Sequence, residues 1–224
     1  MKYFSLSNNS YQVSFKEALF TGLAPDGGLY FPSKVKPLKK SFLNNLKNLS
    51  KSEIAYNVIS QFVGDDIDKK QLIEIIDHSI NFDFPVKHLN ENISVLELFH
   101  GPTMAFKDVG ARFTSRCISY LNKLEKKVTV LVATSGDTGA AVASGFHGVD
   151  GIDVFILYPK DKISKIQEKQ ISTYSGNIFP IQVEGSFDDC QKMVKEALVD
   201  KELVKKFNFT SANSINISRW IPQM

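Results

Sequence analysis

Cysteine is scarce in this 224-residue chain. The two cysteines, Cys117 and Cys190, stand neither in a CxxC pair nor beside a histidine, which excludes the common cysteine-based metal and redox motifs. We therefore expect no metal site. Two isolated cysteines in a chain of this length are typical of a protein in a reducing, cytoplasmic location.

Long apolar runs and a surplus of one charge are also absent. No run approaches the ~20 apolar residues of a membrane span, and the polar residues 1–10 lack the apolar core of a secretion signal. The 27 basic and 24 acidic residues give a net charge of +3, which is too even to predict a nucleic-acid surface. We expect a cytoplasmic protein with neither a membrane nor a nucleic acid as a partner.

The first 85 residues show mainly helical patterns after a short irregular start. Ser14 is suited to cap the first helix, and a Gly/Pro turn at 24–28 leads into a short predicted strand at 29–31. Helical signals cover residues 15–20, 52–63 and 69–80. We assign residues 1–85 to an N-terminal domain.

Short apolar runs alternate with helical stretches from about residue 93 onward. The runs cover residues 128–133, 154–158 and 178–183. The helical stretches cover residues 138–146, 163–174 and 187–198. This βαβαβα order predicts an α/β fold with a parallel sheet and right-handed crossovers. We assign residues 86–224 to this domain and expect it to be incomplete, because a helix opens near 213–219 and no closing strand or final helix follows.

A lysine next to a Gly-Pro turn is the first candidate for chemistry. Lys107 lies between Phe106 and Asp108 in the segment 100–108. An unprotonated lysine amine forms an imine with an aldehyde, and a desolvated setting favours that form. Phe106 can help to supply such a setting. The alternative is that Lys107 is an ordinary solvated lysine in a turn.

A small, hydroxyl-rich segment follows the first apolar run of the predicted sheet. Residues 134–141 read Thr-Ser-Gly-Asp-Thr-Gly-Ala-Ala and open a helix. Free N–H groups at a helix start favour an anion, and hydroxyl groups can donate to it. The segment matches neither GxGxxG nor a P-loop. The alternative is a helix cap within a tight strand-to-helix turn.

A third polar cluster lies at residues 211–219. It contains two asparagines, three serines and Arg219 at a predicted helix start. The planar guanidinium of arginine suits a phosphate or a carboxylate. The alternative is that the cluster caps a helix and that Arg219 is a surface residue.

Together these segments resemble the threonine synthase family, in order and over nearly the whole chain. Residues 22–30 resemble the N-terminal domain of that family. The domain, together with Asp137, favours the long bacterial and fungal type over the plant type. The other matching segments are residues 98–103, 105–108, 134–141, 156–159, 163–164, 167–169 and 211–219.

The resemblance implies a fold-type II (tryptophan-synthase-β-like) lyase that depends on pyridoxal 5′-phosphate (PLP). Such an enzyme converts O-phospho-L-homoserine and water to L-threonine and phosphate in threonine biosynthesis. By position, Lys107 is the catalytic Schiff-base lysine, and Phe106 and Asp137 contact the cofactor. The resemblance assigns Ser135 and Thr138 to the carboxylate or phosphate of the substrate. It assigns Asn213, Ser214 and Arg219 to the phosphate.

Asp137 stands where related enzymes place an asparagine that faces the 3′-oxygen of PLP. A carboxylate cannot donate to a phenolate, so one of the two groups must carry a proton. The glycine-rich loop that holds the PLP phosphate in the family lies beyond the helix near residue 213. No such loop occurs in these 224 residues, and we therefore expect this chain alone to be inactive and to hold PLP weakly.

Two other interpretations remain open. One is another fold-type II PLP lyase such as threonine dehydratase, or a cysteine synthase, although the phosphate-binding cluster at 213–219 disfavours both. The other is a non-catalytic fragment that keeps the fold and binds a partner. The sequence does not predict an oligomeric state.

Overall fold

A computed structural model describes residues 1–9, 11–122 and 126–224. The strands are β1 (Tyr3–Ser5), β2 (Gln12–Val13), β3 (Tyr30–Pro32), β4 (Val86–Asn90), β5 (Ile93–Leu96), β6 (Val128–Ala133), β7 (Ile152–Pro159), β8 (Ile178–Val183) and β9 (Asn208–Ser211). The helices are α1 (Phe15–Thr21), α2 (Lys40–Asn44), α3 (Lys51–Val63), α4 (Lys69–Ser79), α5 (Lys107–Leu121), α6 (Asp137–Phe146), α7 (Lys165–Ser172), α8 (Phe187–Val199), α9 (Lys201–Lys206) and α10 (Ile217–Trp220).

The N-terminal region contains the predicted helices and also a small sheet. Ser14 caps α1 in a reciprocal bond with Glu17, and Ser50 caps α3 in the same way with Glu53. The strands β1, β2 and β3 pair in the antiparallel order β2-β1-β3. The irregular start that the sequence suggests is therefore partly strand. Strands of two or three residues are too short to show an alternating pattern.

The parallel sheet has the order β8-β7-β6-β9. The predicted α/β fold is confirmed, and the structure gives β6 and β8 the predicted bounds. One strand of this sheet was not predicted: β9 pairs with β6 from Val128↔Asn208 to Leu131↔Ser211. The strand is short and mainly polar, so no apolar run indicates it. The final helix, α10, begins at Ile217 after an Asn216 cap.

A large apolar core runs from the N-terminal region into the parallel sheet, and a second, smaller cluster lies around Leu131, Leu157 and Cys190. The largest buried side chains of the large core include Phe15, Phe62 and Phe113, and burial of such a side chain stabilises the fold by about 1.5–3 kcal/mol. The Leu19 carbonyl accepts hydrogen bonds from Thr210 Oγ1 (2.7 Å) and from Asn216 Nδ2 (2.8 Å). These bonds attach the end of α1 to β9 and to the cap of α10.

The hairpin of β4 and β5 lies outside this core. Every residue of the two strands is exposed. An apolar cavity of about 360 Å³ lies beside β5, between α3, α4 and α5, and residues 221–224 close one side of it. The exposed apolar side chains of the hairpin are Val86, Leu89, Ile93, Val95 and Leu96.

Among the residues that the structure describes, no helix combines the length and apolar character needed to cross a bilayer. Within the same ranges, no group of three or more His, Cys, Asp or Glu side chains is placed to hold a metal ion. Cys117 and Cys190 are both buried thiols.

Candidate active site

The turn before α5 places Lys107 at the first position of that helix. The buried Asp108 carboxylate accepts bonds from the Thr103 N–H (2.9 Å) and the Thr103 hydroxyl (2.7 Å). A Cβ atom at Gly101 would lie 2.5 Å from Asp108 Oδ2, so the turn closes tightly only with glycine there. These contacts fix the backbone from which the Lys107 side chain projects.

The loop between β6 and α6 places the second group of site residues. The Thr134 hydroxyl accepts bonds from the N–H groups of Gly136 (2.9 Å) and Gly139 (2.8 Å). This folds the loop tightly and starts α6 at Asp137. Asp137 Oδ2 then lies 3.7 Å from Lys107 Nζ, with both side chains about half exposed. The structure thus pairs the predicted lysine with the predicted carboxylate.

A cavity of about 180 Å³ joins the three polar segments of the sequence. Five predicted site residues line it, together with two residues that the sequence did not indicate, Trp220 and Gln223. Ligand cavities usually start at ~300 Å³, so this one suits a part of a ligand. The five predicted residues are Phe106, Lys107, Thr138, Ser214 and Arg219.

Arg219 is the buried cation of this cavity. The residue is only 4% exposed. Its Nη1 donates to the Ala212 carbonyl, and its Nε has no hydrogen-bond partner within the described ranges. Burial lowers the pKa of Arg219 to about 10, and the nearby Asp108 carboxylate opposes that shift. The alternative of a surface arginine is therefore wrong. A buried guanidinium that lines a cavity suits an anionic group such as phosphate.

Three predicted features lie differently from what the sequence suggested. Ser135 is exposed and does not line the cavity. Asn213 uses its amide on the main chain of Ala133, with Nδ2 donating to the carbonyl (2.8 Å) and Oδ1 accepting from the N–H (3.0 Å). The enclosed setting expected around Lys107 is only partly formed, because its side chain is 42% exposed and Phe106 is 37% exposed.

Besides Trp220 and Gln223, the site has a third residue that the sequence did not indicate. Gln167, near the start of α7, donates from Nε2 to Asp137 Oδ1 at 2.8 Å. The pattern Ser164-x-x-Gln167 is a capping-box signal. That signal locates the helix start but gives no indication of a contact with a residue thirty positions earlier.

Comparison with known proteins agrees with this geometry. Residues 2–80 match the family model "Threonine synthase N terminus", and residues 80–220 match "Pyridoxal-phosphate dependent enzyme". The threonine synthases of Buchnera aphidicola subsp. Acyrthosiphon pisum and of Escherichia coli K12 are 44% and 42% identical to the chain. Each match covers 100% of this chain and 52% of the relative.

Solved structures give the same result. The crystal structure of threonine synthase from Escherichia coli matches with a TM-score of 0.94 and 42% identity, over 100% of this chain and 52% of that one. A PLP-bound threonine synthase from Brucella melitensis matches with a TM-score of 0.89 and 36% identity, over 100% and 50%. The chain spans about half the length of the curated relatives it matches.

The order of the two family models and the parallel sheet agree with the resemblance found in the sequence. The cofactor of the matched family is pyridoxal 5′-phosphate. The chain belongs to the pyridoxal-phosphate-dependent enzyme family, and over its whole length it is similar to the N-terminal half of threonine synthases.

Proposed function

We propose that this chain supplies the lysine-bearing half of a threonine synthase, a carbon–oxygen lyase that converts O-phospho-L-homoserine and water to L-threonine and phosphate. The observation that carries the proposal is that one cavity brings together the Lys107 amine and the buried Arg219 guanidinium. The first group suits an aldehyde cofactor and the second suits a phosphate.

The residues around Lys107 fit PLP. We assign Lys107 to the attachment of the cofactor, with Phe106 and Asp137 as its neighbours. When bound, PLP withdraws electrons from the substrate carbon next to the amino group. The Lys107 amine is the group that can accept and return protons, and the Asp137 carboxylate at 3.7 Å can orient it.

The cavity residues opposite Lys107 fit the phosphate of the substrate. Arg219 contributes a fixed positive charge, and the hydroxyl groups of Thr138 and Ser214 can donate to phosphate oxygens. Ser135 is exposed and remains a predicted substrate contact. The Asn213 amide is already bonded to Ala133, so we assign it to positioning the segment that carries Ser214 and Arg219.

The half-exposed Lys107 supports a second part of the proposal, which is that the 224-residue chain alone retains PLP weakly and is inactive. Water reaches both Lys107 and Asp137, and the cavity suits only part of a ligand. We further propose two domains that divide near residue 85, and a cytoplasmic location, which the two buried free thiols fit.

A chimera tests the proposed function. The matched half of the Escherichia coli threonine synthase is replaced by residues 1–224, and release of phosphate from O-phospho-L-homoserine is measured. We expect phosphate and threonine in equal amounts, and neither product with Lys107→Ala. A folded, PLP-bearing chimera that leaves O-phospho-L-homoserine intact but deaminates threonine would instead favour a threonine dehydratase.

A further inference from the structure

The side-chain amide of Gln167 is held from both ends. Its Oε1 accepts from the N–H of Ser164 (3.2 Å) and from the Ser164 hydroxyl (3.1 Å), as part of the capping box of α7. Its Nε2 donates to Asp137 Oδ1 at 2.8 Å. Rotation of the amide by 180° would place two oxygen atoms against each other at Asp137, so this network fixes one orientation.

The two oxygens of the Asp137 carboxylate have different neighbours. Oδ1 accepts from Gln167, and Oδ2 lies 3.7 Å from Lys107 Nζ. The loop before α6 is shaped around the contact, because a Cβ atom at Gly136 would overlap the Gln167 amide. Gly136 also has φ +141°, a backbone conformation that favours glycine.

We propose that Gln167 is a positioning residue for the reaction and that it acts through Asp137. It donates to one carboxylate oxygen and thereby keeps the other directed at the Lys107 amine. The start of α7 thus serves both as a helix cap and as a support of the site. This inference rests on the proposed function, in which Lys107 carries the cofactor.

The substitution Gln167→Glu separates these two roles. Glutamate is a common capping-box residue, so α7 keeps its cap and the thermal unfolding midpoint should stay close to that of the unsubstituted chain. The donor to Asp137 is lost, and a second carboxylate faces the first. A second negative charge beside a carboxylate favours the protonated form of a nearby amine, and only the free amine attacks an aldehyde.

The measurement uses the 224-residue chain, PLP and borohydride reduction at fixed pH, with peptide mass spectrometry to follow labelling at Lys107. We expect Gln167→Glu to slow labelling by about fivefold or more, because the added charge lies at hydrogen-bond distance from Asp137. The matched control is Ile166→Glu, which adds the same charge at a neighbouring, 70% exposed side chain. It should change the rate by less than about twofold.

The same comparison in an Asp137→Asn background shows whether Gln167 acts through Asp137. The slowing by Gln167→Glu should then shrink to less than about twofold, because the new amide can donate to the introduced carboxylate. Equal labelling rates for Gln167→Glu and the unsubstituted chain would overturn the positioning role, and so would an undiminished effect in the Asp137→Asn background.

Failure of the lysine assignment within the proposed function gives a different result, because the unsubstituted chain then carries PLP on a lysine other than Lys107. The contact itself is measured without cofactor by hydrogen exchange of the Gln167 side-chain amide. Asp137→Ala should speed that exchange, and an unchanged exchange rate would overturn the positioning role alone.

Discussion

Asn213 completes the hydrogen bonding of Ala133 through its side chain. The two residues share two bonds of 2.8 and 3.0 Å, one to the carbonyl and one to the N–H of Ala133. Pairing of β6 with β9 ends at Leu131↔Ser211, two residues earlier. The Asn213 amide therefore replaces a strand partner at the end of β6 and joins the Thr134–Gly139 loop to the segment that carries Arg219.

Asn213→Ala should lower the free energy of unfolding by about 2 kcal/mol, because it leaves two polar main-chain groups of the buried Ala133 without a partner. Urea unfolding measures this change. The matched control is Asn57→Ala, whose amide donates to the exposed Glu53 carbonyl and whose loss should cost less than about 0.5 kcal/mol. Equal costs for the two variants would show that the Ala133 bonds do not stabilise the fold.

Gly136→Ala should destabilise the chain more than Gly148→Ala. Both glycines have positive φ, +141° and +69°, but a Cβ atom at Gly148 meets nothing within 4 Å, whereas one at Gly136 overlaps Gln167. We expect losses of about 2–3 and about 1 kcal/mol in the free energy of unfolding. If the two variants unfold at the same urea concentration, the space between Gly136 and Gln167 is not restrictive.

Arg219 should affect substrate affinity and leave cofactor attachment unchanged. In the chimera, Arg219→Ala is expected to weaken O-phospho-L-homoserine binding by about 2–4 kcal/mol, as for loss of a charge-assisted partner. Labelling of Lys107 by PLP and borohydride should be nearly unaltered. Arg219→Lys keeps the charge and controls for unfolding. Loss of PLP labelling with unaltered substrate affinity would refute this assignment.

Acidification should destabilise the chain partly through His78. Burial, Arg116 and Arg112 lower the pKa of His78 to about 4, whereas the unfolded value is ~6.5. Between these two pH values the unfolded chain binds more protons than the folded chain. The contribution of His78 to the free energy of unfolding is therefore complete above pH ~6.5 and is lost as the pH falls towards ~4. Glu74 also lines the surface around His78.

The free energy of unfolding, measured across this pH range, should fall less steeply in His78→Gln than in the unsubstituted chain. The exposed His88 supplies the control variant, His88→Gln. Parallel curves for all three proteins would show that His78 titrates alike in the folded and unfolded states.

The parts of the fold that the sequence predicts are those with a strong local signal. Val128–Ala133 is continuously apolar and fully buried, and the structure gives the strand these bounds. Asn208–Ser211 has no such run, because its strand is set by pairing with β6. Residue type indicates Lys107 and Arg219 as site residues, but it cannot show that Asn213 bonds Ala133 or that Gln167 reaches Asp137. Both contacts depend on tertiary packing.

The most direct test of the central claim is to map the lysine that PLP labels. The 224-residue chain is incubated with PLP, reduced with borohydride and digested, and each lysine-containing peptide is quantified by mass spectrometry. We predict that label concentrates on Lys107, that Lys107→Ala removes it, and that Lys169→Ala leaves it in place. Label spread evenly over surface lysines, or concentrated on another lysine, would contradict the assignment of Lys107 as the residue that holds the cofactor.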